Sequence, residues 1–196
     1  MYYTKYPIHV AIAHATPNNK ALQRWNLNDP RFQHRAVMSI FPHVEAENPR
    51  SEMGVLFRVE HPMGEAPYFL IQSNTKPSCT ERGIVVKEFA TPTHEKGEAV
   101  HFKIAANAIS RDRAGKATPV EDVAEWIDNK LSGALENIHV LTESREIHKG
   151  RNLTVQVDTI EGVACVENPE TLQKLQIEGV GRAKSYGCGL LTVAKV

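Results

Sequence analysis

The sequence has few cysteines, and they are not paired. Its 196 residues contain only Cys79, Cys165 and Cys188, which lie far apart without a CxxC motif. This spacing favours neither a zinc site nor a disulfide framework. It is typical of a protein from a reducing compartment, so we expect a cytoplasmic location. We also expect no cofactor.

Long apolar runs and an excess of one charge are also missing. Neither the N-terminal MYYTKYPIHV nor any later segment has the apolar run of a signal peptide or a membrane span, so no membrane partner is expected. Lys and Arg number 23, as do Asp and Glu, which gives a formal net charge of zero. A generic polyanion binder is therefore disfavoured, and any nucleic-acid site has to arise from local clusters of Lys and Arg.

Three helices are predicted by the same start signal, a capping side chain followed by a proline. The three pairs are Asp29-Pro30, Thr118-Pro119 and Asn168-Pro169. Glu121 follows Thr118 at the spacing of a capping box. We expect the first helix to end near Phe41, the second at Gly133 and the third at Gly179.

Strand signals fall between these helices. In the first half they cover residues 8–14, 55–59, 68–71 and 84–89, with a turn at 61–64 that predicts a hairpin. In the second half they cover 100–106, 138–141, 153–157 with 162–166, and 190–196. A weak helix is predicted at 80–82. The polar residues 91–98 are rich in helix breakers and predict a linker.

Each half therefore has the order strand, helix, strand, strand, weak helix, strand, which is the ferredoxin-like pattern. We predict an α+β fold of two tandem ferredoxin-like (βαββαβ) domains with a C-terminal glycine-rich loop. The N-terminal domain is expected at residues 1–90, the linker at 91–98 and the C-terminal domain at 99–196. One continuous α+β domain is the alternative.

The glycine-rich stretch GVGRAKSYGCGLL, which begins at residue 179, is the most informative part of the sequence. It follows a predicted helix and lacks the third glycine of a Rossmann fingerprint, and it contains no Gly-Lys-Ser/Thr of a P-loop. Glycines let a backbone approach a phosphate closely. The candidate RNA contacts in this stretch are Gly179, Gly181, Arg182, Lys184 and Ser185. Taken alone, the stretch is slightly better explained as a tight structural loop between a helix and an edge strand.

The run GVGRAKSYGCGLLTVA resembles the C-terminal glycine-rich loop of CRISPR repeat endoribonucleases, specifically the Cascade-type (type I-E) branch. The segments VLFRVEH and YFLIQS resemble the first-domain hairpin of that family, and FKIAANAI resembles the strand that opens its second domain. Glu125-Trp126-Ile127 and Glu161-Gly162-Val163 match as well. The resemblance covers nearly the whole chain in the same order.

The resemblance implies an enzyme that cuts CRISPR repeat hairpin RNA, the pre-crRNA, without a metal ion, and then keeps the crRNA for Cascade-type effector subunits. The ribose 2′-OH attacks the adjacent phosphate, which leaves a 2′,3′-cyclic phosphate and a 5′-OH. A base and a stabiliser of the phosphorane charge are required. The sequence contains no HExxH or comparable ligand spacing, so no metal is expected. The alternatives are a non-catalytic crRNA-binding structural subunit of the same complex and a small-molecule phosphate binder.

The resemblance assigns the general base to His34. The run HRAVMSIFP, residues 34–42, is similar to the family's first-helix motif, in which a histidine precedes an aliphatic stretch ending in Phe-Pro. Helical spacing places His34 at the border of a buried face. The members of that face are Gln33, Ala36, Val37 and Ile40. The family carries a tyrosine three residues before the histidine, where this sequence has Arg31. Arg31 is a candidate to stabilise the phosphorane, and Tyr2, Tyr3 or Tyr6 is the alternative, as a source of a phenol.

Two further basic clusters are candidate RNA contacts. Arg111, Arg113 and Lys116 lie in a predicted loop before the second-domain helix. A predicted hairpin turn carries Arg145, His148, Lys149 and Arg151. Either cluster alone is equally well explained as a solvated loop, but on an RNA-processing scaffold we expect both to hold the stem through its phosphates. The resemblance also implies that Lys149 supports the transition state.

Overall fold

The structure is a computed structural model that describes residues 1–15, 26–79, 81–111, 113 and 115–196. Its backbone contacts group into two compact units. The N-terminal unit comprises Met1–Ala90, His148–Thr154 and Ser185–Gly187. The C-terminal unit comprises Thr91–Ile147, Val155–Lys184 and Cys188–Val196. Whether residues 1–90 and 99–196 fold as separate domains joined by a linker at 91–98 stays a prediction.

The described residues of the N-terminal unit form one antiparallel sheet and three helices. In chain order the elements are β1 (Tyr2–Pro7), α1 (Ile8–Ala15), α2 (Pro30–Met38), α3 (Pro49–Glu52), β2 (Leu56–Glu60), β3 (Tyr68–Ser73) and β4 (Val85–Glu88). The strand order across the sheet is β2-β3-β1-β4. Strand β1 is antiparallel to both β3 and β4, and β2 is antiparallel to β3. The hairpin predicted from VLFRVEH and YFLIQS is therefore confirmed.

The core of this unit forms between the sheet and the apolar face of α2. Phe32, Ala36 and Val37 are fully buried at helical spacing on α2, as expected for an amphipathic helix. They pack in one cluster with Phe57 and Phe69 from the central hairpin. The two phenylalanine rings meet edge to face at a centroid distance of 5.9 Å. The helix that carries His34 is thus fixed against the sheet.

The C-terminal unit repeats this plan. In chain order the elements are β5 (Ala99–Ala106), β6 (Ile109–Arg111), β7 (Ala117–Pro119), α4 (Val123–Leu131), β8 (Leu135–Gly150), β9 (Leu153–Val166), α5 (Pro169–Glu178) and β10 (Leu191–Lys195). The main sheet has the order β10-β5-β9-β8, and β6 and β7 form a separate hairpin. A second core, which includes Phe102, Ile127 and Leu172, fills this unit.

The strand order identifies the fold. Counted within its own unit, each main sheet has its fourth strand beside the first, then the third, then the second, as in the split βαβ pattern. Among the described residues, helices α4 and α5 occupy both crossover connections of the C-terminal sheet, and α1 to α3 occupy the first connection of the N-terminal sheet. The predicted tandem ferredoxin-like α+β fold is therefore confirmed. None of the helices in the described part of the chain combines the length and the apolar character needed to cross a membrane.

The predicted strand at residues 8–14 is wrong, because these residues form α1. Ile8 and Ala11 are buried three residues apart, which is helical spacing, and they pack in the same core cluster as α2. The preceding residues form the strand instead, and it lies inside the sheet between β3 and β4. In β1, Thr4 and Tyr6 are both fully buried, with the period of two expected of a strand.

The predicted start of the second-domain helix is also wrong. Thr118 and Pro119 lie in β7, where Thr118 pairs with Ser110 of β6. The helix begins at Val123, and the Asp122 side chain caps it by accepting a hydrogen bond from the Glu125 amide at 2.8 Å. Pairing with β6 overrides the local capping box, and a second capping residue four positions further on starts the helix.

The other helix predictions have mixed outcomes. Helix α5 has the predicted Asn168 cap, which accepts from the Thr171 amide, and it ends at Gly179 as expected. Helix α2 begins as predicted but ends at Met38, three residues before Phe41. The weak helix at 80–82 is not formed by residues 81 and 82, and Thr80 lies outside the described residues.

Candidate active site

Helix α2 positions the predicted catalytic histidine. The Asp29 side chain caps the helix by accepting a hydrogen bond from the Arg31 amide at 2.9 Å, and Pro30 occupies the first turn. The face formed by Gln33, Ala36, Val37 and Ile40 is buried, as predicted. His34 lies at the border of that face and is half-buried.

The glycine-rich loop returns to this helix within the N-terminal unit. Residues Ser185–Gly187 belong to that unit, and the ring of Tyr186 meets the ring of His34 edge-on at a centroid distance of 6.3 Å. Gly187 has a φ of +85°, and a Cβ there would lie 3.3 Å from Cε2 of Phe57 and 3.5 Å from Oε1 of Gln33. A glycine is therefore what allows this segment to approach α2 closely.

The surroundings of His34 favour its neutral form. Burial is the main cause, and it lowers the pKa of His34 below the usual value of 6.5. A hydrogen bond with the backbone of Ser185 raises the pKa in part, and the nearby positive charges of Arg50 and Arg35 lower it again. A neutral imidazole is the form that a general base needs.

Two buried acceptors stand next to each other in the chain without a partner. Among the described residues, neither Oε1 of Gln33 nor Nδ1 of His34 makes a hydrogen bond, although both atoms are buried. The Gln33 amide is nevertheless oriented, because its Nε2 donates to the Leu27 carbonyl at 3.0 Å. Buried polar atoms usually have partners, so both atoms have hydrogen-bonding capacity that the described residues leave unused.

The tip of the β8–β9 hairpin also belongs to the N-terminal unit. A Cβ on Gly150 would lie 2.6 Å from Oδ1 of Asp29, so the end of β8 is packed against the cap of α2. Lys149 precedes this contact and is exposed, as is Arg151 in the turn. Arg31 is exposed on α2, three residues before His34, and residues at that spacing share one side of a helix. The N-terminal unit therefore holds His34, Arg31, Lys149, Arg151 and Ser185.

The remaining predicted contacts belong to the C-terminal unit. Arg111, Arg113 and Lys116 are exposed on the β6–β7 hairpin, and Arg111 donates to the Gly115 carbonyl at 2.7 Å. Arg145 is already engaged within the protein. Its Nε donates to the carboxylate of Asp158 at 2.6 Å, and its Nη2 donates to the Val120 carbonyl at 3.1 Å.

The first part of the glycine-rich loop is tied to the C-terminal unit. The Val180 amide donates to the Gly189 carbonyl at 2.9 Å, which closes the loop. Lys184 donates to the Glu178 carbonyl at 2.8 Å, at the C-terminus of α5, so it already stabilises the helix end. Arg182 is exposed, and within the described ranges it makes no hydrogen bond or ion pair with protein.

Sequence reasoning missed two residues around His34. Tyr186 and Arg50 come near it only because distant parts of the chain pack together. Tyr3 and Tyr6, two of the three tyrosines considered from the sequence, lie in other surroundings. Tyr3 is stacked on Phe89, and Tyr6 is fully buried with its pKa raised to about 12 mainly by burial. The tyrosine in contact with His34 is Tyr186.

One group of side chains could hold a metal ion and was not predicted. The ligand atoms of His14, Cys79 and Glu81 lie within 4.8 Å of one another. Nε2 of His14 is 3.7 Å from the Glu81 carboxylate, and its Nδ1 is 3.1 Å from the Ser39 hydroxyl. Their separation along the chain hides the group from a search for ligand spacing.

Comparison with known proteins decides the family. The family of CRISPR associated proteins matches residues 1–195. The chain belongs to this family. Among its members, the Cascade subunit CasE of Escherichia coli is 28% identical over 82% of this chain and 89% of its own length. The CRISPR-associated endoribonuclease Cse3 of Thermus thermophilus is 28% identical over 91% of this chain and 95% of its own length.

A solved structure of a family member agrees with this result. Thermus thermophilus Cse3, bound to an RNA that represents a pre-cleavage complex, superposes with a TM-score of 0.72. The two chains are 26% identical, and the match covers 98% of each. The resemblance found in the sequence is thus confirmed along essentially the whole chain.

Proposed function

We propose that this protein is a metal-independent endoribonuclease that cleaves the hairpin of CRISPR repeat RNA and keeps the crRNA product. The observation that carries the proposal is the half-buried His34, whose pKa is lowered and whose Nδ1 is without a partner among the described residues. It lies beside Tyr186 of the glycine-rich loop. A family member named as an endoribonuclease, with a structure bound to RNA, supports the assignment.

The reaction needs no external nucleophile. The ribose 2′-OH is already tethered next to the scissile phosphate, so little orientational entropy is lost on the way to the transition state. His34 takes the 2′-OH proton, the phosphorus–5′-oxygen bond breaks, and the products are a 2′,3′-cyclic phosphate and a 5′-OH. The leaving 5′-oxygen takes a proton from water, and the protonated His34 returns its proton to the solvent, so the base is restored.

The cations of the N-terminal unit stabilise the charge that develops on the phosphorane. Arg31 lies on the same side of α2 as His34, and Lys149 lies next to the Gly150–Asp29 contact at the start of that helix. Both are exposed, so neither has to leave a buried position to reach a phosphate. We assign them as stabilisers of the transition state.

The RNA stem is held through its phosphates. We assign this role to the predicted basic and glycine-loop residues, namely Arg111, Arg113, Lys116, Arg145, Arg151, Gly179, Gly181, Arg182, Lys184 and Ser185. Arg145 and Lys184 also stabilise the protein itself through Asp158 and the Glu178 carbonyl. We therefore expect their substitution to affect folding as well as binding.

We infer that the cleaved crRNA is passed to effector subunits of the Cascade type, because the Escherichia coli relative is named as a Cascade subunit. We also place the protein in the cytoplasm, where the repeat transcript is made. A non-catalytic crRNA-binding subunit on the same fold is the alternative, and it is supported by the same relative's name.

The proposal is tested by incubating the purified protein with end-labelled repeat RNA in excess EDTA. We expect one cut near the base of the hairpin, a 2′,3′-cyclic phosphate on the upstream product, and no cut when the scissile nucleotide carries a 2′-deoxyribose. Bound but uncut RNA would favour the non-catalytic subunit. Binding of nucleotides without binding of the hairpin would favour a small-molecule phosphate site. Cleavage that is lost in EDTA and restored by magnesium would contradict the mechanism.

A further inference from the structure

The C-terminal unit contains a small concavity with an unusual lining. Its volume is about 280 Å³, and it is lined by Asn107, Ile109, Arg111, Trp126, Lys130, Gly181 and Arg182. Three of these side chains are cationic and none is a carboxylate, although the chain as a whole has no net charge. The site therefore selects for a small anionic ligand.

Trp126 gives the concavity an aromatic wall. It lies on α4, is half-buried, and packs against the core of the unit. Nζ of Lys130, one turn further along the helix, lies 5.6 Å from the centroid of the ring. Gly181 faces the ring, and a Cβ there would lie 3.7 Å from Cη2 of the indole. The indole is thus held in place by its own helix and bordered by the glycine-rich loop.

The cations of the site are available to a phosphate. Arg182 makes no hydrogen bond or ion pair among the residues that the structure describes. Among the described residues, the guanidinium of Arg111 makes one hydrogen bond, from Nη1 to the Gly115 carbonyl at 2.7 Å, and within that part of the chain its other N–H groups are available to a ligand. Guanidinium groups bind phosphate oxygens through charge-assisted hydrogen bonds.

A second concavity shares Trp126 but has the opposite character. It is lined by Glu121, Asp122 and Glu125, together with uncharged residues that include Thr118 and Asn129. Phosphate is repelled from this acidic side and attracted to the side of Arg111 and Arg182. Trp126 therefore lies between an acidic surface and a basic one. A nucleotide stacked on the ring would point its phosphate toward Arg111 and Arg182 and away from the acidic residues.

We propose that the basic concavity is a subsite for one nucleotide of a single-stranded flank of the RNA hairpin, whose base stacks on Trp126 and whose phosphate is bound by Arg111 and Arg182. This inference rests on the proposed function. A base inside a duplex is covered on both faces by its neighbours, so only a nucleotide outside the stem can present a face to the indole. Base–aromatic stacking is tolerant of sequence and strong enough to fix one nucleotide.

The small volume of the site and its exposure to solvent indicate that it binds a nucleotide attached to the RNA hairpin and not a free mononucleotide. Its volume is slightly below the range of about 300–1,000 Å³ that is usual for pockets enclosing a drug-sized ligand, and its cations are exposed to solvent. One stack and one phosphate contact bind a free mononucleotide weakly. The same contacts become effective when the hairpin is already bound, because attachment to the stem raises the local concentration of the nucleotide.

The test compares two RNAs by gel shift with the full-length protein, a repeat hairpin with its single-stranded flanks and the same hairpin trimmed to its stem and loop. We expect Trp126→Ala to weaken binding of the flanked RNA by about tenfold or more and to leave the trimmed RNA nearly unaffected. Trp126→Phe keeps a stacking face and should stay near the wild type. Arg182→Ala should weaken binding of the flanked RNA more than Lys174→Ala does. Lys174→Ala is the matched control, because it also removes one exposed positive charge, on α5.

Other outcomes overturn the subsite. Equal weakening of both RNAs by Trp126→Ala, with the same effect in Trp126→Phe, would mean that the indole only packs. If Trp126→Ala binds the flanked RNA with wild-type affinity, no base stacks on Trp126. Tight binding of free adenosine monophosphate to the wild type, competing with the flank, would identify a mononucleotide site instead. If the wild type cleaves the repeat while any of these results holds, the subsite fails and the proposed function stands. If the wild type binds neither RNA, both fail.

Discussion

The environment of His34 determines how its activity should respond to pH. Burial and the charges of Arg50 and Arg35 lower its pKa in the folded protein below the unfolded value of 6.5. The neutral base therefore persists as the pH falls through 6.5, and it is lost only when the pH falls through the lower, folded-state pKa. Between the folded-state pKa and pH 6.5, the folded protein binds fewer protons at His34 than the unfolded chain does. The free energy of unfolding is therefore unaffected by His34 above pH 6.5, and it decreases as the pH falls from 6.5 to the folded-state pKa.

We therefore expect the acid limb of the cleavage rate, measured at sub-saturating enzyme, to have its midpoint below pH 6.5. Substitution of the exposed His43 by alanine is the matched control and should leave the limb unchanged. An acid limb centred above pH 6.5 in the wild type would show that the titrating base is not a buried, neutral His34.

Arg145 has a structural role that can be measured separately from RNA binding. It pairs with Asp158, whose side chain is 2% exposed, while its own side chain is 38% exposed. Arg145→Ala would leave the buried carboxylate with the Ala108 amide and the Gln156 side chain as donors. We expect a loss of about 1–3 kcal/mol in the free energy of unfolding, below the cost for a fully buried pair because the arginine is partly solvated.

Chemical denaturation measures this loss. Arg113→Ala removes an exposed arginine from the β6–β7 turn and serves as the control, with an expected change within about 0.5 kcal/mol. Equal denaturation midpoints for the two variants would mean that the Arg145–Asp158 pair contributes nothing to the stability of the C-terminal unit.

At the scale of elements, helix α2 depends on its first turn. The Asp29 carboxylate accepts a hydrogen bond from the Arg31 amide and lies against Gly150 at the end of β8. Asp29→Ala should cost about 1 kcal/mol of unfolding free energy, because the helix loses its cap. Asp29→Asn keeps an accepting oxygen and should cost much less. Comparable losses for both variants would mean that the charge of Asp29, and not its capping bond, is what matters.

The elements that could be predicted from the sequence are those whose signals are local and unopposed. Asn168 and Gly179 delimit α5 as expected, and the two apolar runs on either side of a turn form the β2–β3 hairpin. The predictions failed where tertiary pairing overrides a local signal. Thr118 joins a strand because Ser110 is opposite it, and residues 8–14 become helical because their buried positions face the core of α2.

The candidate site shows the same division. The half-buried position of His34 on α2 could be predicted because it follows from helical spacing, and its role as the general base stays a prediction. Tyr186 could not be predicted, since its contact with His34 requires the chain to return from residue 185 to the N-terminal unit. The metal-ligating group of His14, Cys79 and Glu81 was missed for the same reason, because it forms only when the end of α1 meets the segment after β3.

For the whole molecule, a net charge of zero has a direct consequence for RNA binding. Attraction to RNA cannot come from the total charge, so it depends on the local cations of the loops and hairpin tips. The affinity should consequently fall with salt in proportion to a limited number of phosphate contacts. If the proposed roles hold, binding and catalysis are separable, because the cations proposed to bind phosphates and the proposed base His34 are different residues.

The measurement that tests the central claim most directly is single-turnover cleavage of repeat RNA by His34→Ala in excess EDTA, with a gel shift of the uncut RNA in parallel. If His34 is the general base, the rate falls by about 10²-fold or more while the affinity for the hairpin stays nearly unchanged. A His34→Ala variant that cuts the repeat at the wild-type rate would contradict the assignment of His34 and the mechanism built on it.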